Sequence, residues 1–546
     1  MDNSKTIFLI LCISLIVTSC GKKAQQGRMV PKDASLVVVI NTKSFTSKVS
    51  WADIQQTSWY RDKSLDSTIN SWQRKLMENP KLSGVDYKAD QVFFALKKGD
   101  LAQGVFIGDI NDEQAFSLFI RKVDSTVMPT KEGNLNFMRL YNRALIGWNN
   151  KKFVFIAQQP VRTPDLNFIN DTTADTTTHP APVTAGVEVL APLCKRIFEL
   201  NADSSLYKDE KFVTLINEDG DLHLWVNIGQ LSKGSMPSGI LGMVNLNKFT
   251  EGNIATATIS FNDGKITAKQ KSYGGKELTD VLKKYNGGNT DADMLKNIPD
   301  TNLDLAVAVH FRPEVILELI KLTGLDGIVN LFMGQLGISM DDFMKANKGD
   351  LQLVASDLKL SSGPNDTSNS NTLGNGTHAV LAISVADKNA FDKLISAGKK
   401  LTGSKANTLA YRNTGKYFIV AFTQKDIDQF LTGNKTSSKF TDKLKDHPAF
   451  AFVDLQHVMN VFQPPATDSS RYQMFTANKS MWDNFTCYGG EFSDGCINFT
   501  LEINLQDKTT NSLKQLNTYL DKLYLARKSG RSREVAISDT IRSTTP

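Results

Sequence analysis

Two stretches of the chain carry the same alternation of apolar and polar positions. Ile110–Ile120 reads INDEQAFSLFI and Val385–Ile395 reads VADKNAFDKLI, sharing apolar-x-Asp-x-x-Ala-Phe-x-x-apolar-Ile. The spacing predicts a helix in each. Asp112 and Asp387 stand where a side-chain oxygen accepts the unpaired N–H groups of a first turn. Behind them Phe116, Phe119, Ile120 and Val123 fall on one helical face, as do Phe391, Leu394 and Ile395 in the twin.

Four more correspondences keep the same order. Asp86-Tyr87 answers Asp342-Phe343, and KFVFIA at 152–157 answers KYFIVA at 416–421. Lys211-Phe212 with Val226-Asn227-Ile228 answers Lys439-Phe440 with Val453-Asp454-Leu455. The runs beginning at Phe261 and Phe492 each pass through Asp-Gly, at 263–264 and 494–495, to an isoleucine. Spacing between partners shifts where polar, low-complexity sequence enters, at 163–186 in the first copy and 361–377 in the second. Such composition buries too little to order itself and reads as surface loop.

Each copy mixes strand and helix. Leu36–Asn41 is continuously apolar and suits a strand buried on both faces, and Leu303–His310 opens the second copy as a partly alternating strand. Helical stretches follow at 45–76 and at 313–332, where Pro313 suits a first turn. Residues 92–96 and 105–109 read as a strand pair. Asp-Gly between alternating runs favours the positive φ of a tight hairpin. Hairpin-linked strands with intervening helices imply an α+β fold of two tandem duplicated copies, each a largely antiparallel sheet with helices packed on a face.

The expected boundaries are a first copy at 29–285, a linker at 286–297 opening with Asn286-Gly287-Gly288, and a second copy at 298–510. Residues 511–546 follow. There Leu513, Leu516, Leu520, Leu523 and Tyr524 form the stripe of a docking helix, and a basic tail from Arg527 reads as disordered and solvated. The length, 546 residues, exceeds what one core usually supports.

Residues 1–20 read as a targeting segment. Lys5 precedes the apolar run Ile7–Val17, too short for a convincing membrane span, and Val17-Thr18-Ser19-Cys20 resembles a bacterial lipobox. Lipid attachment at Cys20 is expected, with 21–28 as a flexible tether. Lys22 and Lys23 replace the acidic residues of a surface-export signal, so the expected location is the periplasmic face of an outer membrane. Several acyl chains hold a protein durably on a bilayer, at ~0.8 kcal/mol per buried CH₂.

Composition narrows the picture further. Hydrophobic residues make up 41% and charged residues 22%, enough for a large core, and the net charge of +6 is too diffuse for nucleic acid. Beyond Cys12 and Cys20 only Cys194, Cys487 and Cys496 remain, an odd number that implies no disulfide framework. They read as buried apolar thiols.

The sequence carries no recognisable catalytic or metal-binding motif. The six histidines, His179, His223, His310, His378, His447 and His457, show no zinc spacing, so no metal and no cofactor is expected. His179 and His378 lie in the two loop insertions. Gly398–Lys405 has the glycine spacing of a phosphate loop but ends Gly-Ser-Lys, and reads as a helix end. Asn217–Asp221 lacks the ligand pattern of a calcium loop and reads as a turn. No serine or cysteine sits in a nucleophile motif.

One compositional anomaly remains. Trp51, Trp59, Tyr60 and Trp72 crowd into the helical region of the first copy, whereas Val315–Leu336 in the second holds Leu, Ile, Met and Gly. The four aromatics either pack helices onto the sheet or line a site for a peptide or glycan.

The lipobox, the VPKDASLVVVIN strand and the SWADIQQTSWYRD segment together resemble the Bacteroidota lipoproteins known only as domain of unknown function 4836. The resemblance spans nearly all the mature chain and implies lipid attachment and an envelope location, with no activity to carry over. The expectation is a non-enzymatic binding or scaffolding lipoprotein for an envelope protein, peptide, glycan or apolar ligand. The alternative is an envelope hydrolase of unrecognised class.

Overall fold

A computed structural model of the chain describes residues 23–98, 101–140, 144–160, 190–232, 250–298, 302–359, 376–402, 409–432, 446–467 and 469–543. Cys20, both long insertions except Gly376 and Thr377, and Lys439-Phe440 lie outside them. Contacts divide the chain into two compact units. The first draws on Met1–Lys48, Lys63–Ser238 and Glu251–Ser260, and the second on Val49–Asp62, Gly239–Thr250 and Phe261–Pro546.

The first unit is built on β1 (Leu36–Ile40), β2 (Gln91–Lys98), β3 (Leu101–Asp109), β4 (Thr130–Glu132), β5 (Leu135–Leu140), β6 (Ala144–Trp148), β7 (Lys152–Pro160), β8 (Leu222–Asn227) and β9 (Ile254–Asn262). They lie in the order β9–β8–β1–β2–β3–β7–β6–β5–β4, every neighbour antiparallel. Register places Trp225, Val37, Phe94, Val105, Ile156 and Leu145 in one row across six strands. All six are buried.

Helix Glu210–Asn217 meets that row through Phe212, whose ring packs edge-on against Trp225 at 5.8 Å. Helix Leu190–Phe198 brings Cys194 so close to Gly147 that a Cβ there would sit 2.5 Å from its sulfur. The repeated motif does what its pattern predicts. Asp112 Oδ1 accepts the Ala115 N–H at 3.0 Å, and Phe116 and Ile120 are buried on Met138, Ile146, Trp148 and Phe153. Neighbouring residues of a strand point to opposite faces, so Ile146 beneath this helix and Gly147 beneath Cys194 show helices on both faces of the sheet. Accordingly β6 is buried at every position, while β1 is fully buried only at Val37 and Val39.

The second unit carries β10 (Lys265–Tyr273), β11 (Leu303–His310), β12 (Asn347–Ser356), β13 (His378–Val385), β14 (Ala410–Asn413), β15 (Tyr417–Ala421), β16 (Ala449–Asp454), β17 (Trp482–Ser493) and β18 (Cys496–Leu505). Their order is β10–β18–β17–β16–β11–β12–β13–β15–β14, again antiparallel throughout. The run β17–β16–β11–β12–β13–β15 matches β9–β8–β1–β2–β3–β7 of the first unit strand for strand. Asp387 caps the helix after β13 as Asp112 caps the one after β3, with Ala390 N–H at 2.7 Å and Phe391 buried. At 494–495 both turn residues have positive φ, 51° and 76°, whereas at 263–264 only the glycine does.

Three stretches depart from expectation. The expected tether is folded over Lys23–Gly27: a 3₁₀ turn there leads to fully buried Val30 and Ala34, and a Cβ on Gly27 would stand 2.8 Å from the Phe212 ring. The expected linker holds a helix, Ala292–Leu295, capped by Asp291, whose Met294 and Leu295 enter the second unit's core. The expected disordered tail is helix: Ser512–Ser543 continues through Arg527, with Ala526 buried. In the linker two apolar residues within a polar run enter a core, which composition alone does not reveal.

Because the two caps are equivalent, Asp112→Ala and Asp387→Ala are each expected to lower stability by about 0.5–2 kcal/mol, read from the denaturant midpoint.

Candidate functional site

The structure separates the four predicted aromatics. Trp51, Trp59 and Tyr60 lie together in the second unit, and Trp72 belongs to the first. Trp72 stacks on Phe119 at 5.8 Å, with the Lys122 ammonium 5.1 Å from its ring centre. It is a packing residue. Tyr60 is buried and receives the edges of both tryptophans, Trp51 at 5.8 Å and Trp59 at 6.1 Å. The tryptophans themselves are 40% and 38% exposed. Two large rings thus face solvent on a shared buried base.

Polar bonds hold this segment in place. Ser50 caps helix Trp51–Gln55 in a reciprocal box with Asp53. From helix Ser512–Ser543, Asp521 accepts the N–H groups of Ser58 and Trp59, at 2.7 and 3.3 Å, and the Ser58 hydroxyl at 3.1 Å. The same helix brings Lys514 to Asp53 at 3.3 Å, and Tyr524 and Lys528 to Asp62 at 2.8 and 2.6 Å. Hydrogen bonds from Lys528 and Tyr524 hold the Asp62 carboxyl below its ordinary 3.8, and bonds from Ser50 do the same for Asp53.

Sequence reasoning missed these partners. Lys514, Asn517, Asp521, Tyr524 and Lys528 recur at three- and four-residue intervals, a helical face in their own right. The leucine stripe on the same helix masks it. Of that stripe Leu513 is buried, but Leu520 is 52% exposed.

The second apolar stretch, Val315–Leu336, forms helices Pro313–Thr323 and Asp326–Gln335. The latter buries no residue; Leu331 is 69% and Phe332 51% exposed. Among the described residues no helix is long and apolar enough to cross a membrane.

Titratable groups gather in the second unit as histidine–carboxylate pairs. His310 Nδ1 lies 2.7 Å from Asp350, His378 Nδ1 lies 2.6 Å from Asp426, and His457 and His447 bond to Asp304 and Glu491. Asp304, Asp350 and Asp426 are buried. His378, expected in a loop, opens β13, close enough to Asp426 to pair with it. Ser384 joins one pair, its hydroxyl 3.0 Å from Asp350. A hydrolytic triad places the histidine between serine and acid. Here the acid is in the middle, and a Cβ on Gly288 would stand 2.1 Å from His310 Nε2, so backbone covers the nitrogen that would serve as base.

Cys194, Cys487 and Cys496 are free. Burial pushes the Cys194 thiol up to about 12 and raises the other two, which keeps all three from acting as thiolates. Asn217–Asp221 is a turn whose Asp221 accepts from Ser44 at 2.6 Å and pairs with Lys48 at 2.5 Å. Among the described residues no cluster of three or more His, Cys, Asp or Glu could hold a metal ion.

The fold and surface define an α+β protein with an exposed aromatic display. Residues 27–179 match the family described as domain of unknown function DUF4836, a shorter span than the near-complete resemblance noted in the sequence. No curated protein matches the chain. Among solved structures, crystal form III of TP0453 is similar at 7% identity and a TM-score of 0.25, covering 48% of this chain and 88% of that one. Form IV gives 8%, 0.26, 48% and 86%. That likeness is too distant to bear on fold or function.

Asp521→Ala is expected to cost about 0.5–2 kcal/mol locally and to red-shift tryptophan emission. The pH dependence follows from the depressed carboxyls. Their stabilisation is fully present above the unfolded carboxyl range and is lost as pH falls through the lowered folded values. Emission from Trp51 and Trp59 should therefore hold from neutral pH to about pH 4 and shift only below it. A shift at pH 5–6 would contradict this account.

Proposed function

We propose that the protein is a lipid-anchored envelope protein, attached through Cys20 and facing the periplasm, that captures a protein, peptide or apolar ligand on the surface carrying Trp51 and Trp59. The observation that carries this reading is the exposure of two tryptophans on a common buried tyrosine. Solvated aromatics of this size are costly to leave uncovered and are the side chains that dominate binding interfaces. The exposed apolar helix Asp326–Gln335 supports the same reading as a second contact surface. We read the two units as copies of one module, a view that the matching strand order and the paired helix caps support.

Crosslinking in the native envelope tests capture. A species recovered with the wild-type chain should be lost from a Trp51→Ala/Trp59→Ala double variant of unchanged melting temperature. Trp72→Ala should keep it while losing stability. Recovery unchanged in the double variant rejects the surface. Cys20→Ala should release the protein from the membrane fraction, and retention there rejects the anchor.

A further inference from the structure

The first unit contains a cavity of about 450 Å³ beside its 3₁₀ turn, within the range of small-ligand sites. Residues 25–29 form one wall. Its apolar lining is the cross-strand pair Val92 and Ile107 with Phe198, Leu200 and Met29. Its polar lining is of both signs. Lys152 is bonded to Asp109, but among the described residues no carboxylate pairs with Arg28 or Lys151. Arg28 rests its guanidinium 5.9 Å from the Tyr207 ring centre, which orients it without neutralising it. Gln26 donates through Nε2 to Asp90 at 2.6 Å, and its Oε1 is buried with no partner.

We propose that this cavity binds a zwitterionic phosphate–ammonium group. A simple anion would satisfy Arg28 and Lys151 but would meet Asp90 and leave the Gln26 acceptor bare. A simple cation would meet the opposite difficulty. A phosphate joined to a short ammonium arm serves both: its oxygens take the two cations, and its N–H groups reach Gln26 Oε1 and Asp90. Where that group carries an apolar chain, the chain covers Val92, Ile107, Phe198 and Leu200.

Two sources offer this chemistry, a membrane lipid and a free phosphoamine. The lipid source rests on the acylation proposed above, while the cavity's chemistry does not. Cys20 is three residues before Lys23, the first residue of the 3₁₀ turn, so an acylated Cys20 would hold the start of the turn within about 11 Å of the anchor. The cavity's wall begins two residues later.

Titration calorimetry of the full chain with dihexanoyl phosphatidylethanolamine, dihexanoyl phosphatidylglycerol and O-phosphoethanolamine tests the assignment. The first should bind roughly tenfold or more tighter than the second, and Lys151→Gln or Arg28→Gln should weaken it by a similar factor. Gln26→Leu should weaken the ammonium-bearing lipid and leave phosphatidylglycerol unchanged. Equal binding of both lipids, absence of binding, or indifference to Lys151→Gln overturns the proposal. Lys151 is exposed on a turn, so that variant decides the matter even if Arg28→Gln fails to fold. Equal affinity for O-phosphoethanolamine upholds the headgroup assignment and names a soluble source; a requirement for chains names the bilayer. Cys20→Ala should leave cavity binding intact, so retention of that variant in the membrane fraction refutes the anchor alone, and failure of the wild-type chain to bind the headgroup refutes the cavity alone.

Discussion

One row of side chains, Trp225–Val37–Phe94–Val105–Ile156–Leu145, ties six neighbouring strands of the first unit into one register. Side chains alternate between faces, so a slip of one residue in any strand would turn its member out of the row. Each buried apolar side chain contributes about 1.5–3 kcal/mol relative to exposure, which makes slipped pairings uncompetitive. Other placements follow from the row. Phe212 seats its helix on Trp225, and Gly27 can approach Phe212 only because it lacks a Cβ. The cavity wall at 25–29 is therefore located by the core, not by its own polar residues.

The second unit uses the same strand order with different chemistry at its centre. Where β1 buries Val37 and Val39, β11 buries Ala306 and Ala308. Around that smaller core, Asp304, Asp350 and Asp426 are buried carboxylates, each bonded to a histidine on one oxygen and to a backbone N–H or hydroxyl through the carboxylate. A buried polar group left without its hydrogen-bond partner costs far more than a made bond gains, so each member strongly requires the other. They favour one arrangement of β11, β12, β13 and β16 over near neighbours. At Ser384 the acid stands between serine and histidine, so that set ties β13, β12 and β11 together.

Much of this was legible from the sequence where the signal was local. The helices around Phe116 and Phe391, their aspartate caps, the strand pair before Asp109 and the turn at Asp494-Gly495 all follow from spacing within about a dozen residues. What escaped was set by distant partners. The stretch Lys23–Gly27 reads as a tether until Leu206, Tyr207 and Phe212 are brought against Gly27. Trp51 and Trp72 share a composition anomaly yet enter different units. The pairing of His378 with Asp426 joins residues 48 apart and leaves no pattern in either segment.

The aromatic display shows why such long-range ties matter for function. The segment 50–62 buries little besides Thr57 and Tyr60, so hydrophobic burial cannot be its main restraint. Instead Asp53, Asp62 and Asp521 fasten it to a helix more than 450 residues away in sequence. Bonds of this kind, exposed to water, are individually weak and open locally at low cost. Without them, short helices such as Trp51–Gln55 would not persist in water. With them, the two tryptophans are presented in a fixed relation to Tyr60, and a partner that covers them need not supply the energy to order the segment. Fastening by polar bonds also leaves both rings outward. A segment held by its own tryptophans would have had to bury them.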